Sequence, residues 1–473
     1  MTTAHGSAGP QPGDPTTDTN QTQPRSSIPL NRPSRFFKKE IGLLLTKLVA
    51  AVENEGPIAV DYTGHLYAYT EGVWRDNGER IVSERVFRLL GDRGRRTHVS
   101  NVLASLSCQP PLFTDENQDT QFLNLPNGLL DWRTGELSPH DPAIPSTIRI
   151  PVEWDPDAKC PAIEQWLEEV FPSDTREFIE EVIGYTLFNA NPLNKAVLLN
   201  GPGRNGKGTF LKLVKSLAGG ANISAVSPQS LDENRFMVAE LHGKLANLVG
   251  DVDPRIFKAT ENFKKVTGED PLNAERKYGQ PFKFTCRALL IAAFNALPRS
   301  ADTTEGFFSR WIVLPFTGYF PAGVADPNQL DKLTTPSELR GLLVLAVHGL
   351  VRLMARNCFD PPQSVRQETD DYRLIADPVR AFLADGQLAG WIPRTALYAR
   401  YVDWAQVNGY HQLAAATFYE RADAASTDPT SPTMAPRKRR GTRGYWFGDE
   451  VGQKDGEESK WSQSEWSPSA FGQ

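Results

Sequence analysis

Apolar positions begin to recur at residue 34, and their spacing changes several times along the chain. Phe37, Ile41, Leu44, Leu45 and Leu48 stand at helical intervals and predict an amphipathic helix at the start of the folded part. Leu66–Tyr69 and Val73-Trp74, separated by Thr70-Glu71-Gly72, predict a short hairpin. Helical patches follow at Val82–Leu90 and Val99–Leu106. Phe122–Leu125 and Gly128–Trp132 flank an Asn127-Gly128 turn, so residues 34–150 read as an α/β accessory domain. An extended connector at Pro151–Pro161 leads into helix at Ile163–Phe188, which gives a connector and helical region at 151–189. Over residues 190–335, apolar strand-like runs alternate with helical patterns, the signature of an α/β domain around a mainly parallel sheet. Residues 336–450 contain a strongly apolar helix at 335–358, a helical section over Asp377–Ala425 and a basic, Gly-rich strand-like segment at Arg437–Phe447.

The two ends differ in composition. Residues 1–33 are rich in Pro, Gly, Thr and Gln, and residues 451–473 in acidic and polar residues around Trp461, Trp466 and Phe471. Neither buries enough apolar surface to offset chain entropy, so both are expected to be disordered. No apolar run is long enough to span a bilayer and no signal-peptide pattern is present, which points to a cytoplasmic protein. Cys108, Cys160, Cys286 and Cys358 are far apart and form no zinc-binding pair, so they read as reduced, buried thiols. With 51 Lys and Arg against 57 Asp and Glu, the net charge is −6. That excludes a uniformly basic DNA-coating surface and leaves room for a local cationic channel.

The strongest chemical signal starts at Lys195-Ala-Val-Leu-Leu-Asn200. This apolar strand runs into Gly201-Pro-Gly203-Arg-Asn205-Gly206-Lys207-Gly208-Thr209, and a helix with Phe210, Leu213, Val214 and Leu217 on one face follows. Strand, glycine loop and helix in that order are what a P-loop needs. The glycines let backbone N–H groups converge on phosphates, the helix N-terminus adds partial positive charge, and Lys207 reaches the β- and γ-phosphates of ATP. The residue after the lysine is Gly208, where Ser or Thr normally ligates Mg²⁺, so Thr209 is the expected metal hydroxyl, acting directly or through water.

Leu245–Gly250 then ends in Asp251-Val252-Asp253, the carboxylates expected to hold Mg²⁺ and polarise water. Asp251 is the metal-side acid; either it or Asp253 is the base. Leu289–Phe294 is a second buried-type strand ending in Asn295, an amide suited to positioning water or sensing the γ-phosphate. Arg310 directly precedes the apolar strand Trp311–Pro315 and is placed to serve as an arginine finger on a neighbouring subunit.

Taken together, GPGRNGKGTFLKLV, LANLVGDVD, FKKVTGED, ERKYGQPFKF, LLIAAFNALPRSAD and FFSRWIVLPF resemble the superfamily 3 helicases. The resemblance is nearest to their phage and plasmid primase–helicase branch, related to poxvirus-type helicase–primases, and it covers roughly residues 60–445. It implies an AAA+-like P-loop motor, a C-terminal winged-helix region, and a ring, usually a hexamer, with single-stranded or forked DNA in its pore. In that resemblance Leu272–Phe284 matches the pore hairpin, with Arg276, Lys277 and Tyr278 as DNA contacts. Arg437, Lys438, Arg439 and Arg440 lie where a wing would contact phosphates. Many relatives carry two adjacent acids where this chain has Gly250 and then Asp251. The residues ahead of the connector offer no paired carboxylates for two metals, so no primer synthesis is expected from this chain alone. Other replication proteins are expected partners, a membrane is not. Two other readings share these motifs: an ATPase that remodels replication proteins without unwinding, and a DNA-binding initiator with a nucleotide switch.

Overall fold

The computed structural model describes residues 33–113, 120–252, 260–277, 281–295, 298, 300, 302, 304–321, 323, 325–385, 387–410, 412–427 and 434–448. At its centre is a five-stranded parallel sheet of β1 (Ala196–Asn200), β2 (Ile223–Ser224), β3 (Ala246–Val252), β4 (Leu289–Phe294) and β5 (Trp311–Pro315). The strands lie in the order β2-β3-β4-β1-β5. Every residue of β4 and β5 is buried, and only the last of β1 is not. Unbroken apolar runs of this kind suit strands covered on both faces. Alternation then sorts the side chains: Val197, Leu199, Ile291, Ile312 and Leu314 join one core, and Ala196, Leu198, Leu290, Trp311 and Val313 join the other. The chain is therefore a mixed α/β protein built on a parallel sheet, as the alternating pattern predicts.

The first core also contains residues of α1 (Arg176–Leu187), α2 (Lys207–Ala218) and α3 (Pro336–Arg356). α1 and α3 cross so closely that a Cβ on Gly184 would lie 2.1 Å from the Ala346 carbonyl oxygen. The same interface buries Glu180 and Glu181, paired with Arg352 at 2.8 Å and Arg356 at 2.6 Å respectively. Glu338 of α3 accepts the backbone N–H groups of Ala162 and Ile163, at 3.3 and 3.0 Å. It thereby satisfies two orphan donors at the start of helix Pro161–Val170. The second core includes Tyr372 and Ala376 of α4 (Gln363–Ala376), which packs along β5. Packing thus groups the chain differently from the expected boundaries: α1, α3 and α4 belong with the central sheet.

Ahead of the sheet lie two three-stranded antiparallel sheets, one formed by Ile58–Val60, Leu66–Thr70 and Val73–Arg75, the other by Phe122–Leu125, Gly128–Asp131 and Glu136–Ser138. The expected first helix starts late. Phe37 pairs with Leu43 and Lys38 with Gly42 in a small hairpin, Ile41 is exposed, and helix runs only over Leu45–Glu53. Gly42 at φ +80 takes a left-handed conformation that ends any helix through it. Residues 378–447 form a separate core from helices Pro378–Asp385, Arg394–Val407 and Ala415–Ala425 and a three-stranded sheet. Of the expected tails, residues 1–32 of the first and all of the second, 451–473, lie outside the described residues. Among those described, no helix is long and apolar enough to cross a membrane. Of the four cysteines only Cys160 and Cys286 are buried, which pushes both thiols up to about 12; Cys108 and Cys358 are exposed, contrary to expectation.

Candidate functional site

Register brings the site together. Asn200 pairs with Phe294, and Phe294 with Val252, so the C-terminal ends of β1, β4 and β3 lie side by side. Ligands of open parallel sheets bind at this edge. The glycine loop leaves β1 here. Gly201 has φ +150, and a Cβ on it would sit 2.1 Å from the Asn205 amide nitrogen. Gly206, at φ +94, is the N-cap of α2. No other neighbour within 4 Å limits Gly203 or Gly208, so neither is sterically required. Asn205 is buried and its amide donates to the Phe316 carbonyl at 3.4 Å.

Lys207 is only 6% exposed. Its Nζ donates to Gly201 O at 2.6 Å, Pro202 O at 3.2 Å and Asn205 Oδ1 at 3.1 Å. Burial lowers its pKa, and the Asp251 carboxylate partly opposes that shift. Asp251 sits at an irregularity in β3, between Val249 and Val252, with φ +53. A bulge re-aims a side chain, and a non-glycine residue in left-handed backbone is often found where function requires it. The Asn295 Nδ2 donates to Asp251 Oδ1 at 2.6 Å. Lys207, Asp251 and Asn295 are therefore neighbours, although they come from the start of α2 and from the ends of β3 and β4; Asp253 lies outside the described residues.

Thr209 lines a cavity of about 360 Å³ beside the loop, together with Trp166, Glu169, Arg204, Gly206 and Phe320. The Phe320 N–H donates to Arg204 O at 2.8 Å and ties that wall to the loop. Trp166 and Phe320 are far from the loop in sequence and carry no motif, so sequence spacing gave no signal for this wall. Glu368 of α4 was missed for the same reason; it accepts a hydrogen bond from Asn200, the last residue before the loop.

Arg310 is not in this group. Trp311 pairs with Ala196 and Pro315 with Asn200, so Arg310 precedes the N-terminal end of β5. The five-residue strand separates it from the loop edge by roughly 16 Å. Its Nη1 donates to Thr267 Oγ1 and its Nε to Gly306 O, both at 2.9 Å.

The hairpin Pro271–Glu275/Pro281–Thr285 is formed as expected, with the Arg276 guanidinium 5.4 Å from the Phe282 ring and Lys277 exposed. Tyr278 lies outside the described residues. The hairpin also meets the N-terminal region: Tyr62 OH donates to Lys283 O at 2.5 Å. Nearby, His65 and Asp76 are paired, and Arg276 and His242 act electrostatically on Asp76. In the C-terminal sheet, Arg437, Lys438 and Arg439 alternate along one strand, and Arg440 begins its turn at φ +46.

Residues 48–172 match a family model described as D5 N terminal like, and residues 199–310 match a family of unknown function, DUF5906. A protein of Acanthamoeba polyphaga mimivirus, provisionally named a helicase, is 23% identical over 338 residues. The chain is kin to the primase–helicase family. The match takes in 64% of this chain and 34% of the mimivirus protein, so the chain spans about a third of that relative's length. Among solved structures, an apo form of the NrS-1 C-terminal region aligns over 85% of this chain and 98% of that one, at 11% identity and a TM-score of 0.46. JCV helicase aligns over 45% and 58%, at 14% identity and a TM-score of 0.25.

Proposed function

We propose that this primase–helicase relative is an ATP- and Mg²⁺-dependent DNA helicase of the superfamily 3 type, the replicative motor of a phage or plasmid. In this reading the loop 201–206 is a P-loop, residues 378–447 are a winged-helix region, and the motor works as a ring around single-stranded DNA. The observation that carries it is the Asn295–Asp251 hydrogen bond beside Lys207: a polar amide, a carboxylate and a buried lysine converge at the one sheet edge where a glycine loop opens into a helix.

The chemistry follows from the parts. The loop N–H groups and α2 hold the phosphates, and Lys207 exchanges its loop oxygens for phosphate oxygens. The cavity walled by Trp166 and Phe320 suits a flat base, and Thr209 borders it. The donor set fits Mg²⁺: Asp251 is exposed, and Asn295 engages its Oδ1. Asp251 would hold the ion, with Thr209 reaching it directly or through water, and the ion would neutralise charge on the β- and γ-phosphate oxygens. Asn295 orients the attacking water. Arg310 lies too far along the sheet to serve its own loop, so it would act on a neighbour's γ-phosphate. The hairpin with Arg276, Lys277 and Tyr278 would grip DNA in the pore. Strand displacement on a forked substrate tests the reading. The chain should displace the strand with ATP and Mg²⁺, and Lys207→Ala should abolish it; ATP hydrolysis without displacement would favour a remodelling ATPase.

A further inference from the structure

The C-terminal sheet has an outer face whose two tryptophans, Trp391 and Trp446, have no part in the roles above. Its central strand, Thr442–Phe447, pairs with Gly390–Pro393 on one side and Met434–Arg439 on the other. Residues directly opposite in antiparallel strands share a face. Ile392, Tyr445, Phe447 and Met434 are buried and pack with Leu397, Tyr401 and Phe418, which defines the inner face. The register then puts Trp391 opposite Trp446, Arg437 opposite Gly444 and Arg439 opposite Thr442 on the outer face.

That outer face is aromatic and cationic. Trp391 and Trp446 are direct cross-strand partners and both are half-buried. The Arg437 guanidinium lies 5.5 Å from the Trp446 ring. A Cβ on Gly444 would come 3.0 Å from Trp391 Cε2, so the glycine leaves room for that indole across the central strand. Between Met434 and Phe447 the chain carries Arg437, Lys438, Arg439, Arg440 and Arg443 and no acid, in a protein whose net charge is −6. Asp423, an acid that contacts this sheet, is engaged by Arg394 and Tyr445.

We propose that Trp391, Trp446, Arg437 and Arg439 form a platform for single-stranded DNA. Unpaired bases stack on the indoles while the guanidinium groups meet the phosphates, a sequence-tolerant mode. Bases inside a duplex have their faces occupied by neighbours and cannot use the rings, so the platform selects single strands. It is separate from the hairpin at residues 271–285, and it adds two stacking rings to the phosphate contact expected of Arg437 and Arg439. The inference extends the DNA-helicase reading but does not require nucleotide hydrolysis.

The test is fluorescence anisotropy of labelled oligo(dT) with the full chain and no nucleotide, with near-ultraviolet circular dichroism to verify folding of each variant. Trp446→Leu and Trp391→Leu should each weaken binding on the order of tenfold, and Trp446→Phe should retain most of it. Arg437→Gln with Arg439→Gln should flatten the logarithmic salt dependence by about 1.4, as expected for two lost phosphate contacts to a single strand. A blunt duplex should compete poorly. Wild-type affinity in both Trp→Leu variants, or equal losses for oligo(dT) and duplex, would overturn the platform. So would oligo(dT) binding that appears only after the acidic residues 449–473 are removed, because that result assigns the face to the chain's own terminus. Lys207→Ala should bind oligo(dT) as wild type does; if it also kept full ATPase activity, the motor reading would fail while the platform stood.

Discussion

Gly208 and Thr209 show how a single position shapes the end of the glycine loop. A side chain at residue 208 would meet nothing within 4 Å, so Gly208→Ser, which restores the commoner hydroxyl, should fold and melt like wild type. Thr209→Ala should weaken the Mg²⁺ dependence of ATP hydrolysis in a metal titration; unchanged dependence would remove Thr209 from the metal site. A second residue pair makes a pH prediction. Hydrogen bonding to Asp76 raises the His65 pKa, with Asp61 and Glu79 adding to it, and the same bond lowers that of Asp76. A raised histidine contributes stability that is complete below its ordinary value and lost as pH rises through the raised one. A lowered carboxylate contributes stability above its ordinary value and loses it as pH falls through the lowered one. The pair therefore holds the N-terminal sheet best at mildly acidic pH, above the ordinary aspartate value and below the ordinary histidine one, and loses strength as pH rises through the raised His65 value. Melting temperature should fall between about pH 5 and pH 8 more in wild type than in His65→Gln. Asp251 and Asn295 were legible because each stands at the end of an apolar strand, and Lys207 because it closes a glycine loop between strand and helix; His65 and Asp76 were not, because two polar residues in loops carry no pattern until the fold pairs them.

Elements were legible where periodicity alone decides them and illegible where packing does. β1, β4 and β5 read directly as apolar runs, and α3 as a long apolar helix. That α3 would cross α1 against the central sheet was hidden, because an apolar stripe does not say which element it meets, and the close crossing needs Gly184 and Gly349 and the buried Glu180 and Glu181. Gly184→Ala puts a methyl carbon 2.1 Å from a backbone oxygen, and the helices must separate to admit it. Urea denaturation should show a loss of about 1–3 kcal/mol, the usual cost of overpacking. Wild-type stability would mean that the crossing yields without cost. The first helix fails for a local reason: Phe37 and Ile41 keep helical spacing, but Gly42 turns the chain back on itself before Leu45.

For the whole molecule, the sheet geometry keeps Arg310 away from the glycine loop of its own subunit. The loop, Asp251 and Asn295 stand at the C-terminal edge, and Arg310 stands at the other end of β5, roughly a full strand length away. If Arg310 contributes to hydrolysis, it does so across a head-to-tail subunit interface, the arrangement that the proposed ring would supply. The measurement that tests this most directly is ATP hydrolysis by mixtures of two dead variants, Lys207→Ala and Arg310→Ala. Each alone should hydrolyse ATP at background rates. Mixed, they should recover activity, because some interfaces then join an intact loop from one subunit to an intact Arg310 from the next. A mixture as inactive as its components, or an Arg310→Ala variant as active as wild type, would contradict the account.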